Sequence, residues 1–454
     1  MNPEVFRAYD IRGLAERDLD DAFVSALGRA LAAVARRAAG PDARPEVAVS
    51  RDCRLSSERL FAALTDGLRD GGADVVDIGV GSSPTLYWAA HHLATAAAVQ
   101  ITGSHNPADH NGFKMMLGTS TLHGEAITEL RALVEADAPP PAGPRGALRR
   151  QDVFADYVAD IASRVHLARR LKVVIDGGNG TGGPPAMALL ERLGVDVVPL
   201  FVAMDGRFPN HHPDPTVEEN LVALRDAVRA HGADLGVAYD GDADRIGVID
   251  DRGRVLWGDR LLILLARDVL AAHPGAAIVG EVKCSRTLFE DIAARGGRPV
   301  MSQVGHSLIK ARMKAEGALL AGEMSGHIFY RDRWHGFDDA VYVTARLLEI
   351  VARGAAPLSA LLADVPETCV TPELRVDCPD ALKFDLVARA AAHFRAHHDV
   401  IDIDGVRVDF GDGWGLIRAS NTQPVLVLRA EAETPAALAR IRATLEGFLR
   451  DASA

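Results

Sequence analysis

Residues 235–250 read LGVAYDGDADRIGVID and contain two apolar segments separated by an acidic loop. The apolar run Leu235–Tyr239 predicts a buried strand, and Ile246–Asp250 predicts a second one. Between them lies a polar loop with three aspartates, Asp240, Asp242 and Asp244. Polar loops after buried strands are typical of α/β proteins, which bind ligands at the carboxyl ends of strands. The stretch therefore predicts an α/β protein with a polar site at a strand end.

The alternation of strands and helices extends over most of the chain. Before residue 138 we predict strands at 46–49, 75–78 and 97–102, and helices at 21–39 and 56–71. After residue 146 we predict strands at 172–175, 196–200, 235–239, 246–250, 276–281 and 299–303, and helices at 154–165, 184–192, 218–231, 259–272, 285–295 and 307–316. Helices of this length between strands indicate βαβ units and mainly parallel sheets.

The C-terminal part has a different pattern. Strand-like spacing at 370–376 and 405–420, with helices at 380–393 and 434–450, predicts a small α+β domain. A chain of 454 residues is too long for one core, and the proline-rich residues 138–146 predict an exposed linker. We therefore predict three α/β domains and one α+β domain, with bounds 1–146, 147–253, 254–366 and 367–454.

Composition excludes several classes of protein. The apolar fraction of 48% and charged fraction of 25% are those of a soluble globular protein. A net charge of -12 without a basic patch disfavours nucleic acid as a partner. Four separated cysteines, no apolar membrane span and no signal-peptide pattern predict a reduced, cytoplasmic protein without a membrane partner.

The loop at residues 240–245, DGDADR, is a candidate metal site. Carboxylates at alternate positions can converge on Mg²⁺ or Ca²⁺, which prefer oxygen ligands. An EF-hand needs glycine at the sixth position, where this chain has Arg245. The alternative interpretation is a solvated acidic turn.

Two further segments near the N-terminus could carry chemistry. Residues 102–107, TGSHNP, could hold Ser104 as a nucleophile on a tight loop, or form an ordinary turn. They do not fit the GxSxG pattern of hydrolases. Lys114 follows soon after, and only six of the 50 basic residues are lysine. It could carry a proton or bind phosphate.

The glycine-rich residues 176–183, DGGNGTGG, satisfy GxGxxG formally and could bind a dinucleotide. Asp176 at the mouth of the loop would repel a pyrophosphate, and no acidic residue closes the next strand. A tight turn with a packing role is the favoured interpretation. The paired histidines at 91–92, 211–212 and 397–398 are expected at the surface.

Two polar loops could bind a phosphorylated sugar. Residues 322–328, GEMSGHI, offer a carboxylate, a hydroxyl and an imidazole suited to a polyol. Residues 418–424, RASNTQP, offer hydrogen-bond donors suited to phosphate. Either could equally be an ordinary polar loop.

These motifs together, with YDIRG at residues 9–13, resemble those of the α-D-phosphohexomutase family, in particular its bacterial phosphomannomutase/phosphoglucomutase branch. The resemblance runs from residue 9 to the loop at 418. It implies three similar mixed-sheet α/β domains and a C-terminal α+β domain around a central active-site cleft. The four segments would carry, in order, the phosphoserine, metal-binding, sugar-binding and phosphate-binding loops.

The resemblance also implies the roles of single residues. Ser104 would be phosphorylated and would bind Mg²⁺ together with Asp240, Asp242 and Asp244. Lys114 and His327 would be the acid/base pair, with the pKa of the lysine lowered by neighbouring cations, and Arg12 and Arg245 would steady the transferring group. The remaining candidates would bind substrate: Tyr9, Lys283, His306, Glu323, Ser325, Arg418, Ser420, Asn421 and Thr422.

The implied reaction interconverts hexose 1-phosphate and hexose 6-phosphate, of mannose, glucose or both, through a 1,6-bisphosphate that also serves as activator. The expected partner is a small sugar phosphate, and the expected state is a monomer. A metal-dependent phosphatase would use the same aspartates with water as acceptor. An inactive sugar-phosphate-binding protein gives no reason for Ser104, three aspartates and Lys114 to occur together.

Overall fold

The computed structural model describes residues 2–40, 43–137, 143–420 and 424–453. Four β-sheets follow one another along the chain, and helices pack against each of them. Part of the predicted linker, residues 138–142, lies outside the described residues, and residues 143–145 are exposed.

The first sheet has seven strands, of which β5 runs antiparallel to its neighbours β1, β4 and β6. Its strand order is β1-β5-β4-β2-β3-β7, with β6 beside β5. The elements are a 3₁₀ helix (Pro3–Val5), β1 (Ile11–Leu14), α1 (Asp21–Ala39), β2 (Glu46–Arg51), α2 (Ser57–Asp70), β3 (Asp74–Val80), α3 (Ser83–Leu93), β4 (Ala97–Ile101), β5 (His110–Leu117), β6 (Ser120–Thr121), α4 (Glu125–Ala136) and β7 (Leu148–Arg150). Strand β7 pairs with β3 although it follows the predicted boundary at residue 146.

The second sheet has the order β12-β11-β10-β8-β9. Its elements are α5 (Phe154–Ser163), β8 (Lys172–Asp176), α6 (Gly183–Arg192), β9 (Asp196–Leu200), a 3₁₀ helix (Glu218–Leu221), α7 (Val222–His231), β10 (Leu235–Tyr239), β11 (Ile246–Asp250) and β12 (Val255–Leu256). Strands β10 and β11 form an antiparallel hairpin. The loop between them is too short for the crossover that a parallel pair needs.

The third sheet has the order β14-β13-β15-β16, and only its edge pair β15–β16 is antiparallel. Its elements are α8 (Gly258–Ala272), β13 (Ala277–Glu281), α9 (Arg286–Ala294), β14 (Arg298–Ser302), α10 (His306–Glu316), β15 (Leu320–Gly322), β16 (Ile328–Tyr330), α11 (Ala340–Ala352) and a 3₁₀ helix (Leu358–Ala360). The first three sheets are therefore mixed, which confirms the α/β class and the mixed sheets that the resemblance implies. The expectation of mainly parallel sheets from the βαβ pattern holds for the third sheet, whereas the first two contain as many antiparallel as parallel pairs.

The fourth sheet is antiparallel throughout its described pairs, with the order β17-β22-β21-β20-β19 and β18 beside β22. Its elements are β17 (Cys369–Val370), β18 (Leu374–Asp377), α12 (Asp380–Arg395), β19 (Val400–Ile401), β20 (Val406–Asp409), β21 (Gly413–Ala419), β22 (Val425–Ala432) and α13 (Pro435–Ser453). The predicted α+β character of the C-terminal part is confirmed.

One apolar core joins the first three sheets. It contains Trp88 of α3, Tyr157 of α5, Tyr239 of β10, Leu262 of α8 and Tyr342 of α11, all buried. Because such a core resists sliding of its parts, it holds the strand-end loops of these sheets in fixed positions. No helix within the described ranges is both long enough and apolar enough to cross a membrane.

Candidate active site

A cavity of about 1020 Å³ is lined by segments of all four sheets. Arg12 and Ser104 come from the first, Arg245 from the second, Glu323 from the third and Arg418 from the fourth. These segments meet because most of the loops follow the carboxyl ends of strands, where open sheets place their binding residues. The predicted central cleft is therefore present.

The three loop aspartates lie together beneath this cavity. Asp240, Asp242 and Asp244 are 0% exposed, and each offers a carboxylate oxygen within 4.8 Å of the others. One oxygen each of Asp242 and Asp244, Oδ1, has no hydrogen-bond partner among the described residues. Burial and the charges of the other two aspartates raise the pKa of Asp240 well above its ordinary value. Oxygen ligands, charge and unpartnered atoms all fit a hard divalent cation.

Ser104 faces this cluster from the loop after β4. Its Oγ donates a hydrogen bond to Asp240 Oδ2 over 2.7 Å. Its backbone has a φ of 50°, an uncommon conformation for a residue other than glycine. The carbonyl of Ser104 lies so close to Gly241 that a Cβ at that position would be 2.3 Å from its oxygen. The hydroxyl is thus fixed against residues 240–245 of the second sheet, the candidate metal-binding loop, called the metal loop below.

Lys114 lies on β5, next to the aspartates. Its Nζ is 2.5 Å from an oxygen of Asp242 and 2.5 Å from an oxygen of Asp244. Burial alone would lower the pKa of Lys114, but these carboxylates raise it well above its ordinary value. The expectation that neighbouring cations lower this pKa is wrong, because the groups in direct contact with the ammonium are anions.

His327 is held between a cation and two carboxylates. Arg245 Nε donates to His327 Nε2 over 2.9 Å, and since arginine only donates, we assign the proton of the neutral ring to Nδ1. Nδ1 lies 3.0 Å from Asp338 Oδ2 and 3.6 Å from Asp244 Oδ1. The ring therefore has a defined tautomer and orientation at the cavity wall.

Two neighbouring rings extend the same wall. The ring of His306 stacks on that of His327 at 5.6 Å, and Tyr9 meets His306 edge-on at 5.2 Å. Burial and the nearby ammonium groups of Lys310 and Lys114 lower the pKa of His306 well below its ordinary value. His306 is consequently a neutral ring in the resting site.

The candidate sugar-binding groups lie on the third sheet's side. Glu323 accepts hydrogen bonds from Gly305 N over 2.7 Å and from Ser325 Oγ over 2.8 Å. Lys283 Nζ lies 3.2 Å from Glu373 Oε2, which belongs to the segment before β18. Both Glu323 and Lys283 line the cavity, so their charges face its interior.

The fourth sheet contributes Arg418 and Ser420, which also line the cavity. Arg418 Nη2 lies 3.1 Å from Asp404 Oδ2, and the same oxygen accepts a hydrogen bond from Val304 N over 2.9 Å. Asp404 therefore connects the arginine to the third sheet. The predicted substrate-binding residues Asn421 and Thr422 lie outside the described residues.

The glycine-rich turn at 176–183 packs against the metal loop. Thr181 N donates to Gly241 O over 3.0 Å, and a Cβ on Gly180 would lie 2.6 Å from that oxygen. His211 Nε2 lies 3.0 Å from Asp176 Oδ2, which occupies the mouth of the turn. These contacts agree with the packing interpretation of the turn rather than with a dinucleotide site.

Sequence reasoning missed several polar partners of the site. Ser83 Oγ donates to Asp242 Oδ2 over 2.5 Å, and Lys310 Nζ donates to Asp338 over 3.0 Å. Ser83 begins helix α3 in an ordinary SSPT start, so no local signal distinguishes it. Asp338 and Lys310 become recognisable only when the fold brings them to His327.

Comparison with known proteins follows the same four-part division. Four families match the chain in order: phosphoglucomutase/phosphomannomutase alpha/beta/alpha domain I at residues 3–139, domain II at 153–253, domain III at 257–369 and the C-terminal domain at 373–447. Together these matches cover nearly the whole chain.

Full-length relatives agree with these matches. The phosphomannomutase/phosphoglucomutase of Pseudomonas syringae pv. tomato is 46% identical over 447 residues, covering 98% of this chain and 95% of its own. The phosphoglucomutase of Neisseria gonorrhoeae is 46% identical over 442 residues, covering 97% and 95%. A crystal structure of a phosphoglucomutase/phosphomannomutase family protein from Burkholderia thailandensis superposes with a TM-score of 0.92 at 44% identity, covering 100% of this chain and 98% of that one. The chain therefore belongs to the phosphoglucomutase/phosphomannomutase family.

Proposed function

We propose that the protein interconverts hexose 1-phosphates and hexose 6-phosphates, of mannose, glucose or both, through a phosphorylated Ser104. The observation that carries this proposal is the contact of Ser104 Oγ with Asp240: Ser104 lines the cavity, and Asp240 belongs to a cluster of three buried carboxylates. A hydroxyl on a restrained loop beside a cation site suits storage of a phosphoryl group. Close relatives carry the names phosphomannomutase/phosphoglucomutase and phosphoglucomutase.

The metal in this proposal is Mg²⁺. Asp240, Asp242 and Asp244 would hold it together with an oxygen of phosphorylated Ser104. Bound there, the ion offsets the negative charge of the phosphoryl group and of the serine oxygen as their bond breaks. Arg12 and Arg245, which line the cavity, would donate hydrogen bonds to the phosphoryl group and so hold it in position.

The first half-reaction moves the phosphoryl group from Ser104 to the sugar. The 6-hydroxyl oxygen of a hexose 1-phosphate forms a bond to phosphorus while the bond between phosphorus and Ser104 Oγ breaks. The hydroxyl loses its proton, and the serine oxygen gains one. Lys114 and His327 are the candidates for moving these protons, because both line the cavity and lie near Asp244.

The second half-reaction returns a phosphoryl group to the enzyme. The 1,6-bisphosphate turns around in the cavity, and Ser104 Oγ forms a bond to the phosphorus of the 1-phosphate while the bond between that phosphorus and the sugar O1 breaks. The serine hydroxyl loses its proton, O1 gains one, and hexose 6-phosphate leaves. No phosphate is lost to water overall. A hexose 1,6-bisphosphate from solution would restore Ser104 whenever the phosphoryl group is lost, and we therefore propose that it acts as an activator.

The remaining cavity residues would bind the sugar phosphate in either orientation. Glu323 and Ser325 would contact the ring hydroxyls O3 and O4, since they offer an acceptor and a donor side by side. Arg418 would bind the phosphate that is not being transferred. The other proposed contacts are Tyr9, Lys283, His306, Ser420, Asn421 and Thr422. All these residues belong to one chain, so we propose that a monomer is active.

A coupled assay for hexose 6-phosphate, run with Mg²⁺ and glucose 1,6-bisphosphate, tests the proposal. Wild-type protein should convert glucose 1-phosphate or mannose 1-phosphate, and Ser104→Ala should lose at least ~10³-fold of this activity. The matched control Ser163→Ala removes an exposed serine on α5 and should keep full activity. Release of inorganic phosphate instead of hexose 6-phosphate would identify a phosphatase.

A further inference from the structure

A buried arginine outside the predicted site forms hydrogen bonds with the loop that carries Ser104. Arg54, which is 3% exposed, follows strand β2. Its guanidinium donates to four backbone carbonyls on and just after that loop. The acceptors are Ser104 O at 2.7 Å, Asn106 O at 2.6 Å, Pro107 O at 2.5 Å and His110 O at 3.0 Å.

Asp52, two residues before Arg54, bonds to the first residues of the same loop. Its carboxylate accepts hydrogen bonds from Thr102 Oγ1 over 2.8 Å and from Gly103 N over 3.2 Å. It also accepts from Arg54 Nε over 3.1 Å and from Ser57 Oγ over 2.6 Å. The first residues of the loop therefore bond to Asp52 and the later ones to Arg54. Asp52 and Arg54 together form one buried ion pair.

Close packing against the guanidinium group also restricts Arg54. A Cβ on Gly103 would lie 2.6 Å from the guanidinium carbon of Arg54, so the loop backbone lies directly on the arginine. The ring of Phe208, from the segment between β9 and α7, lies 5.0 Å from the same carbon. Arg54 is therefore enclosed between the first and second sheets and has no room to adopt another position.

We propose that Arg54 is a positioning residue for phosphoryl transfer: it holds the backbone around Ser104 so that the serine oxygen stays aligned with the metal loop and the substrate. This inference rests on the proposed function. Ser104 has a φ of 50°, which an L-residue keeps only when its surroundings enforce it. Without the four carbonyl contacts the loop can relax, and Oγ would move away from Asp240.

Arginine is required for this role because of its shape. A guanidinium presents five donors in a rigid plane, whereas a lysine ammonium has three donors around one point. Lysine would preserve the charge and the pair with Asp52 but could not reach all four carbonyls. Because transfer depends on alignment, a displacement of about 1 Å can reduce the rate about a hundredfold.

The test compares Arg54→Lys with the wild-type protein. We expect kcat for hexose phosphate interconversion to fall about a hundredfold while KM stays within about threefold, because Arg54 does not line the cavity. Phosphorylated Ser104, followed by intact mass, should also lose its phosphoryl group to water faster than in the wild type. Added guanidinium ion should restore at least tenfold of the kcat of Arg54→Ala.

A matched control separates positioning from stability. Arg346→Lys alters another buried arginine, which is 1% exposed and donates to the carbonyl of Asp332. It should lower the melting temperature and leave kcat unchanged. If Arg54→Lys fails to fold, Asp52→Asn, which keeps the side-chain volume, should show the same fall in kcat at constant KM.

Two results would overturn the inference alone. One is an active wild type with Arg54→Lys or Asp52→Asn at full kcat; the other is a fall in kcat of the same size in the control Arg346→Lys at an equal loss of melting temperature. A wild-type protein without interconversion activity would overturn the proposed function as well. The two failures are therefore distinguished by the wild-type measurement.

Discussion

At the scale of single residues, the balance of charge decides what the buried cluster can hold. Asp240, Asp242 and Asp244 bring three carboxylates together, and Lys114 contacts two of them. A phosphorylated Ser104 would add about two negative charges beside them. Lys114 alone does not balance that total, and we therefore expect a divalent cation to join Arg12 and Arg245 in the phosphorylated state.

Asp242→Asn should weaken the binding of Mg²⁺ at least about tenfold, which corresponds to 1.4 kcal/mol. The change removes one anionic ligand while keeping the side-chain volume. Titration calorimetry with Mg²⁺ on the purified protein measures the affinity directly. Asp156→Asn, an exposed acid on α5, is the control and should bind as the wild type does. Equal affinities for the two variants would remove Asp242 from the metal site.

His211 gives the fold a defined dependence on pH. Burial alone would lower its pKa, but the hydrogen bond and charge of Asp176 raise it above 6.5. The pair therefore stabilises the fold fully below pH 6.5, and this stabilisation is lost as pH rises through the folded-state pKa. The paired histidines were expected at the surface; the side chain of His211 is 15% exposed and pairs with the buried Asp176.

Melting temperatures of His211→Gln measure this effect. The variant should melt about 2–4 °C below the wild type at pH 6, and the difference should shrink by pH 9. His231→Gln, at an exposed helix end, should show no such trend. A difference that is constant from pH 6 to pH 9 would mean that His211 is not charged in the folded protein.

At the scale of elements, the glycine turn at 176–183 supports the metal loop. Gly180 approaches the carbonyl of Gly241 so closely that a Cβ would lie 2.6 Å from its oxygen. Gly180→Ala should displace the metal loop, weaken Mg²⁺ binding and destabilise the fold by about 1–3 kcal/mol. Gly354→Ala meets no atom nearer than 3.9 Å and is the control. Calorimetry and denaturant unfolding of both variants decide whether the turn supports the loop; unchanged Mg²⁺ affinity in Gly180→Ala would show that it does not.

Elements with a clear local pattern could be predicted from the sequence. The bounds of α1, β10 and β11 match their predictions, since amphipathic or apolar periodicity marks these segments locally. Strand β5 was not predicted, because both of its faces are buried and the alternation of apolar and polar residues disappears. Consequently the sequence pointed to Lys114 without showing that it lies on a strand facing the aspartates.

The candidate site also contains residues that could be predicted from local motifs and residues that could not. Ser104 and the three aspartates lie in short motifs, so their chemistry could be predicted from the sequence. The roles of Arg54 and Asp338 depend on contacts between segments that are far apart in the chain. The pKa of Lys114 also depended on such contacts, and this is why its expected direction was wrong.

At the scale of the whole molecule, one cavity must accept the bisphosphate in two orientations related by a half-turn. A side chain that recognises the configuration at C2 in one orientation would face a different sugar atom in the other. The hydroxyls O3 and O4, in contrast, roughly exchange places. Values of kcat/KM for glucose 1-phosphate and mannose 1-phosphate should therefore differ by no more than about ten- to thirtyfold, or ~1–2 kcal/mol.

Glu323→Ala should slow both sugars alike, since Glu323 is proposed to read O3 and O4. The assay is kcat/KM for each sugar with the same preparation, and Glu125→Ala at an exposed helix start serves as control. A thousandfold preference in the wild type would mean that C2 is read after all. Selective loss of one sugar in Glu323→Ala would refute the assignment of O3 and O4.

The fate of the phosphoryl group on Ser104 distinguishes transfer through a phosphoserine from hydrolysis and from direct transfer between sugars. The wild-type protein is labelled with ³²P from glucose 1,6-bisphosphate, freed of small molecules and mixed with excess unlabelled glucose 1-phosphate. We expect the label to leave the protein in the first turnover as hexose bisphosphate or hexose 6-phosphate, and Ser104→Ala to take up no label. Label released as inorganic phosphate, or retained on the protein while product forms, would contradict it.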